Sequence, residues 1–172
     1  MPSVAVTVIG RDRPGIIAEV TGVVSELGGN LEDSSMTLLR GHFAWMLIAD
    51  VGAAADDLAA RLAHLAGDGL VVSVLPVADD APYGHDAGHY MLSVHGADRP
   101  GIVAGVTSAL AAHGGNITDL STRLGPGGLY LLVAEVTLPS DVDVVALGDE
   151  LAGVGRHLGV GVSLRPADDD VL

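Results

Sequence analysis

Two short segments of the sequence carry residue types that suit the binding of a small zwitterion. The first, Gly-Arg-Asp-Arg-Pro-Gly-Ile at residues 10–16, lies where a strand-like pattern gives way to a helical one. The first N–H groups of a helix have no intrahelical partner and can donate to a carboxylate. Asp12 can accept a hydrogen bond from an ammonium group. The second segment is the start of the next strand, where Asn30 and Asp33 are expected across the same groove. Together these residues predict a site for an α-amino acid.

The proline and glycine of this segment are expected to shape the site. Pro14 is predicted to be the first helical residue, where its fixed φ and missing N–H fit without cost. Gly15 leaves the first turn without a side chain, so a ligand can approach the N–H groups of Gly15, Ile16 and Ile17. A purely structural interpretation is also open. In that interpretation the segment only begins a helix that Asp12 caps, and Gly-Gly-Asn at residues 28–30 only ends it.

The same segments occur again 86 residues later. Residues 10–33 match residues 96–119 at 13 of 24 positions, including Asp98, Pro100, Gly101 and Asn116 of the second copy. Further along, a one-residue deletion is predicted to align Trp45 with Tyr130. We therefore expect two domains, residues 1–77 and 89–165, joined by an acidic linker at 78–88 and followed by an acidic tail at 166–172.

The periodicity within each copy predicts the same order of elements. In the first copy it gives strands and helices at residues 4–9 (strand), 14–27 (helix), 30–39 and 43–51 (hairpin), 54–66 (helix) and 70–77 (strand). In the second copy the corresponding ranges are 90–95, 100–112, 116–124, 129–138, 142–151 with an extension to 157, and 160–165. Gly28 and Gly29 are predicted to end the first helix as a left-handed cap.

The order β-α-β-β-α-β predicts an α+β fold, with each copy a ferredoxin-like unit of four antiparallel strands and two helices on one face. Because the opposite face of each sheet then needs a partner, we expect the copies to pack together about a pseudo-twofold axis. A homodimer is a further expectation.

Composition excludes several classes of function. The chain has 172 residues, of which 22 are acidic and 8 are arginine, with no lysine, so its net charge is −14. This balance argues against direct binding to nucleic acid or to an anionic membrane. The absence of cysteine excludes disulfides and thiolate chemistry. Residues 101–118 carry no charge but contain Gly-Gly-Asn, and the N terminus does not resemble a signal peptide, so we expect a cytoplasmic protein with no membrane span.

The pattern Gly-x-Asp-Arg-Pro-Gly-Ile, followed by Val-Thr and Gly-Gly-Asn, resembles the ACT domain, a small-molecule regulatory module of βαββαβ topology. With two copies and no catalytic domain, the chain resembles the family of glycine cleavage system transcriptional repressors. The resemblance implies that a small amino acid binds between paired modules. It implies these ligand-binding residues: Asp12, Arg13, Pro14, Gly15, Ile16, Asn30 and Asp33, and in the second copy Asp98, Arg99, Pro100, Gly101, Ile102, Asn116 and Asp119.

The resemblance also sets an expectation for function. It implies a non-catalytic sensor of glycine or a similar amino acid that modulates transcription or metabolism through a protein partner, either a transcription factor or an enzyme. Serine-sensing ACT domains resemble this turn but have His in place of Gly10 and Gly96 and Asn in place of Asp12 and Asp98, so serine does not carry over. An allosteric subunit of a metabolic enzyme and a small hydrolase or transferase are the alternatives.

The remaining polar and aromatic residues give weaker indications. His85 and His89 are four residues apart in the predicted linker without further ligands, so we expect no metal and no cofactor. His95 ends a strand near the second site, where it could touch a ligand. Trp45 and Tyr130 are expected to pack in the sheet. Ser34, Ser35 and His42 could serve as nucleophile and base, but nothing in their spacing indicates a relay, so no catalytic residue is predicted.

Overall fold

The chain folds into two copies of the predicted unit. The computed structural model describes residues 3–77, here module 1, and residues 87–167, here module 2, and the two belong to separate units. Module 1 contains, in chain order, β1 (Ser3–Arg11), α1 (Ile16–Glu26), β2 (Asn30–Leu39), β3 (His42–Asp50), α2 (Ala55–Leu62), α3 (His64–Gly67) and β4 (Leu70–Val77). Module 2 contains β5 (Gly88–Ala97), α4 (Ile102–Ala112), β6 (Asn116–Leu124), β7 (Leu129–Leu138), α5 (Val144–Leu158) and β8 (Val160–Pro166).

The strand order confirms the ferredoxin-like prediction. The sheet of module 1 has the order β2-β3-β1-β4 and that of module 2 the order β6-β7-β5-β8, with every neighbouring pair antiparallel. Each helical connection joins two strands that do not lie side by side, as in the split βαβ arrangement. Each module is therefore an α+β unit with a four-stranded antiparallel sheet.

One face of each sheet is buried under the helices and the other is open. Along β1 the side chains of Val4, Val6 and Val8 are buried, whereas Ile9 on the opposite face is 52% exposed. The buried side chains of β1 and β3 form one core with residues of α1, α2 and α3, among them Ile16, Val20, Val24, Leu58, Leu62 and Leu65. The same alternation in module 2 packs β5 and β7 against α4 and α5. Small aliphatic side chains therefore hold each helix layer on its sheet.

The double glycine after α1 ends the helix as predicted. Gly28 has a φ of 70°, its N–H donates to Ser25 O at 2.9 Å, and the N–H of Gly29 donates to Val24 O at 2.9 Å. This pair of bonds is the Schellman motif, which satisfies carbonyl groups that the last turn leaves free. Gly114 and Gly115 make the equivalent bonds after α4.

The start of α1 differs from the prediction. The helix begins at Ile16, not at Pro14, because Gly15 precedes it with a left-handed φ of 95°. Gly101 has a φ of 92° before α4, which begins at Ile102. A left-handed residue cannot continue an α-helix, so Pro14 and Pro100 lie in the turn ahead of it. The expectation of a proline at the first helical position is therefore wrong in both modules.

The second helix of each module also has bounds that differ from the predicted ones. In module 1 the predicted helix at residues 54–66 is divided at Ala63 into α2 and α3, although Leu58, Leu62 and Leu65 are all buried as expected. In module 2 the helix begins at Val144, and the carboxylate of Asp143 accepts from the N–H groups of the second and third helical residues at 3.1 and 3.0 Å. This side-chain cap fixes the helix start.

The register of β3 and β7 overturns one part of the predicted repeat alignment. Val8 pairs with Trp45, whereas its equivalent Val94 pairs with Leu132. Trp45 therefore corresponds to Leu132, and the predicted match of Trp45 with Tyr130 is wrong. The physical reason is an insertion in the second hairpin, where Gly125–Gly128 replaces a shorter turn.

The two aromatic positions nevertheless pack in their sheets. Trp45 is buried and meets Phe43 edge to face, with ring centroids 6.4 Å apart, and Tyr130 packs half-buried against the core of module 2. In the first hairpin Arg40 and Gly41 both have positive φ, 51° and 80°, as a two-residue type I′ turn requires.

Some predictions fall on residues that the structure does not describe. Residues 78–86 and 168–172 lie outside the described ranges, and with them His85 and most of the predicted linker and tail. At the edges, Gly88 belongs to β5 and Pro166 to β8. No helix within residues 3–77 and 87–167 is long and apolar enough to cross a membrane.

Three glycines of α1 and its cap give a test of this geometry. A Cβ at Gly29 would lie 2.6 Å from the backbone oxygen of Asp50, so Gly29→Ala should destabilise module 1 by about 1–3 kcal/mol through overpacking. Gly28→Ala meets no atom but keeps a positive φ, which costs about 1–2 kcal/mol. Gly22→Ala, in the exposed middle of the helix, should stabilise by about 0.5–1 kcal/mol.

The measurement is urea unfolding followed by tryptophan fluorescence. Trp45 is the only tryptophan of the chain, so its emission reports on module 1. If Gly29→Ala were tolerated as well as Gly22→Ala, the close packing of the cap on β3 would be disproved.

Candidate functional site

The Asp-Arg-Pro-Gly turn, residues 12–15 of module 1, lies at one end of the sheet. It follows β1 at the end where the β2–β3 hairpin reverses, and the N–H of Asp12 donates to Gly41 O at 3.1 Å. In module 2 the N–H of Asp98 donates to Gly128 O at 3.2 Å. The backbone of each turn is thus tied to the neighbouring hairpin, and this contact survives the difference in hairpin length.

The first turns of α1 and α4 lack a side-chain cap. The residues at their N-caps are glycines, and no side chain accepts from their first N–H groups, whereas Asp143 caps α5. Within the described residues the carboxylates of Asp12 and Asp98 make no hydrogen bond, and both residues are exposed. The interpretation in which Asp12 caps the helix is therefore wrong. The turn leaves N–H donors and a carboxylate acceptor available side by side.

Asn30 lies at the opposite end of the module from this turn. It pairs with Asp50 at the far end of β3, while the turn adjoins His42 at the near end. The eleven residues of α1 lie between them, a length of about 16 Å. A single module therefore does not bring Asp12 and Asn30 into one groove, and the expectation that it would is wrong.

Module 2 repeats this separation. Asn116 pairs with Thr137 near the end of β7, whereas the turn at residues 98–101 adjoins its beginning. Asp33 and Asp119 both follow a register shift in their strands and are exposed. Their strand partners, Ile48 and Glu135, place them on the open face of each sheet, away from the helices.

Arg13 is held by two carboxylates that the sequence did not single out. Its Nη1 and Nη2 donate to Glu19 Oε1 and Oε2 at 2.7 and 2.9 Å, and Nη2 also donates to Asp68 Oδ2 at 2.8 Å. A bidentate pair between arginine and a carboxylate is stronger than hydrogen bonds between neutral groups. His64 Nε2 lies 3.9 Å from Glu19 Oε2 at the edge of the group.

These contacts shift the ionisation of both partners. The hydrogen bonds from Arg13 hold the pKa of the Glu19 carboxyl below its usual range, and the same bonds raise the pKa of Arg13. Glu19 could have been suspected from the sequence, because it departs from the repeat by aligning with Gly105 of the second copy. Asp68 gave no signal, since it is 55 residues from Arg13.

Arg99, the equivalent of Arg13, has lost both partners. Gly105 replaces Glu19, and Leu158 stands where Asp68 precedes the last strand of module 1. No carboxylate lies within 4.0 Å of the Arg99 guanidinium among residues 87–167. A Cβ on Gly159 would lie 3.1 Å from Arg99 Nη1, so the guanidinium rests against the bare backbone there.

The other candidate residues form no second site. His95 projects from the open face of β5 against Gly161, where a Cβ would lie 2.6 Å from its ring. No group of three or more potential metal ligands occurs in the part of the chain that the structure describes. A shallow, mainly apolar depression of about 260 Å³ adjoins β1, β2 and β3, and it contains none of the predicted ligand-binding residues.

The Arg13–Glu19 pair predicts the pH dependence of module 1. A carboxyl whose folded pKa is depressed contributes stability above its unfolded pKa, about 4.3 for Glu, and loses that contribution as pH falls through the folded pKa. Carboxyl NMR titration should therefore show Glu19 ionising below its usual range. Arg13→Gln should raise the pKa of Glu19. Arg11→Gln, which removes an exposed arginine two residues earlier in the sequence, is the control, and an equal effect of both variants would contradict the assignment.

Comparison with known proteins agrees with the fold. The ACT domain family matches residues 3–67 and again residues 90–146. A UPF0237 protein of Methanopyrus kandleri is 44% identical over 79 residues, covering 45% of this chain and 87% of that protein. The glycine cleavage system transcriptional repressor of Escherichia coli is 30% identical over 122 residues, covering 70% of this chain and 64% of the repressor. A protein of unknown function from Galdieria sulphuraria has a crystal structure that is 28% identical, covers 97% of this chain and 99% of its own, and has a TM-score of 0.84. The chain therefore belongs to the ACT domain family, with two ACT domains in tandem.

Proposed function

We propose that this tandem ACT protein is a regulator that binds a small amino acid, glycine or a near relative, and acts through a protein partner. The observation that carries the proposal is the turn in both modules. There a left-handed glycine leaves the N–H groups of α1 and α4 without a side-chain acceptor, beside the exposed carboxylate of Asp12 or Asp98. N–H donors suit a carboxylate and the aspartate suits an ammonium group.

The choice of glycine rests on size and on one relative. A turn glycine with no side chain admits close approach of a small ligand. The relative in Escherichia coli is named as a repressor of the glycine cleavage system, which makes glycine the first ligand to test. The proposed ligand residues are those of the two turns together with Asn30, Asp33, Asn116 and Asp119.

The position of Asn30 constrains how these residues act. Since Asn30 and the turn lie at opposite ends of α1, one module supplies only one side of a ligand at each end. We propose that a turn is completed by the Asn-bearing end of another ACT module, as the family resemblance implied. The arrangement of modules that would do this, including a homodimer, is part of the proposal.

The output is proposed to pass through a protein and not through DNA. Residues 1–77 contain 4 arginines and 9 acidic residues, and residues 89–165 contain 4 and 7, so neither module is net basic. Duplex binding depends on cations that neutralise phosphates. The partner is a transcription factor or a metabolic enzyme, and we place the protein in the cytoplasm. Regulation as an enzyme subunit is the second candidate.

Catalysis is not part of the proposal. Ser34, Ser35 and His42 lie on neighbouring strands, but the hydrogen bonds of the described residues include none that joins them into a relay. A nucleophile needs a base within hydrogen-bond reach and an orienting group behind it. The regulatory assignment is therefore preferred to a hydrolase or transferase.

Glycine titration tests the ligand. At 100 times its Kd, glycine should raise the free energy of unfolding by about 2.7 kcal/mol, visible as a higher melting temperature. The paired variants Asp12→Ala with Asp98→Ala, and Asn30→Ala with Asn116→Ala, should abolish most of this shift while the protein stays folded. Asp149→Ala, an exposed residue in the middle of α5, should leave it unchanged. If no proteinogenic amino acid at millimolar concentration moves the melting temperature, the sensor proposal fails.

Duplex DNA tests the output. Fluorescence anisotropy with a labelled duplex should show no salt-sensitive binding at micromolar protein, with or without glycine, because neither module carries a net positive charge. Tight binding that weakens steeply with added salt would disprove the charge argument and favour a direct repressor.

A further inference from the structure

A carboxylate of the same chain lies beside the turn of module 1. Glu19 Oε1 lies 3.4 Å from the position that a Cβ on Gly15 would take, so the carboxylate sits against the turn glycine. In module 2 the nearest atom to the equivalent position on Gly101 is a methyl of Leu158 at 4.0 Å. The space that a ligand carboxylate would approach is therefore bordered by an anion in module 1 and by a hydrocarbon in module 2.

The guanidinium of Arg13 has no free edge for a second anion. Nη1 and Nη2 are taken by Glu19 and Asp68, and Nε is buried without an acceptor. A ligand carboxylate would have to displace a bidentate pair to reach Arg13. No such pair stands in the way at Arg99, whose partners are replaced by Gly105 and Leu158.

The net charge around the turn of module 1 also disfavours an incoming anion, whereas that around the turn of module 2 does not. Asp12, Glu19 and Asp68 surround the single cation Arg13, which leaves a local charge of about −2 against an incoming anion. At module 2 no carboxylate among residues 87–167 pairs with Arg99. Gly105 admits Val154 and Leu158, whose methyl groups would lie 3.1 Å from a Cβ at that position. Apolar packing thus stands in module 2 where module 1 has the ionic group.

We propose that the two modules are unequal receptors, with module 2 the one that takes a carboxylate ligand and Arg99 its counter-ion. Glu19 and Asp68 act in module 1 as a built-in substitute for that carboxylate and exclude it. The inference rests on the proposed amino-acid binding, and it adds which copy binds, which residue selects the anion and which residues block the other copy.

Two measurements separate this inference from the proposed function. The first is isothermal titration of the full chain with glycine. Wild type should bind one glycine per chain, and Arg99→Gln should weaken binding at least tenfold. Arg11→Gln, at an exposed arginine outside both turns, should change binding less than twofold. The double variant Glu19→Gln with Asp68→Asn should gain a second site. Two sites in wild type, or equal losses from Arg11→Gln and Arg99→Gln, would overturn the inference.

The second measurement needs no ligand. Phenylglyoxal modification, followed by peptide mass spectrometry, should modify Arg99 at least fivefold faster than Arg13, and the Glu19→Gln, Asp68→Asn variant should remove that difference. Trp45 fluorescence verifies that module 1 of the variant is folded. Equal rates in wild type would overturn the inference even if glycine binds. Unequal rates with no glycine binding would support the inequality of the turns while rejecting glycine as the ligand.

Discussion

The left-handed glycine between the first strand and the first helix is the constraint on which each module depends. With φ of 95° and 92°, Gly15 and Gly101 redirect the chain from the sheet into the helix layer within one residue. A side chain at such an angle is strained by about 1–2 kcal/mol. The same conformation places the glycine at the N-cap, where Ser, Thr, Asp or Asn would offer a capping oxygen. The left-handed glycine therefore accounts both for the fold of the turn and for the unpaired N–H groups of the helix. A side-chain cap at this position would take up those N–H donors.

The length of the first helix imposes the second constraint. Because α1 crosses the whole module, the residues at its two ends are separated by about 16 Å, which is far more than a small amino acid spans. Under the proposed function, a ferredoxin-like unit would present half of a zwitterion site at each end. Duplication of the unit in one chain supplies a second set of both halves at a high effective concentration. The proposed function would thus give a physical reason for a tandem of two modules that each have their own core.

Sequence periodicity predicted the strands, the helices and the buried face, since Val4, Val6 and Val8 alternate and the double glycine marks the helix end. Periodicity did not predict the alignment of the two copies, because it does not distinguish alignments that differ by an even number of strand residues. The predicted and observed alignments of β3 with β7 differ by two residues, and a shift of two keeps every side chain on its own face of the sheet. The helix start was predicted at Pro14 instead of Ile16 because the residue type of Gly15 does not reveal that its φ is left-handed. The ionic group of Arg13 was missed because Asp68 reaches it only through the tertiary fold.

The two modules show what duplication preserved and what it did not. The backbone bonds from Asp12 to Gly41 and from Asp98 to Gly128, the left-handed glycines and the Schellman caps are the same in both. The side chains over the turn differ, with an ion pair network in one module and Gly105, Val154 and Leu158 in the other. A backbone contact can be kept under almost any substitution, whereas a guanidinium changes its role as soon as a carboxylate partner is gained or lost. Under the proposed inequality of the modules, two acidic residues are enough to separate the roles of the two copies. A ligand that distinguishes the copies can shift the protein by no more than its difference in affinity for the two states.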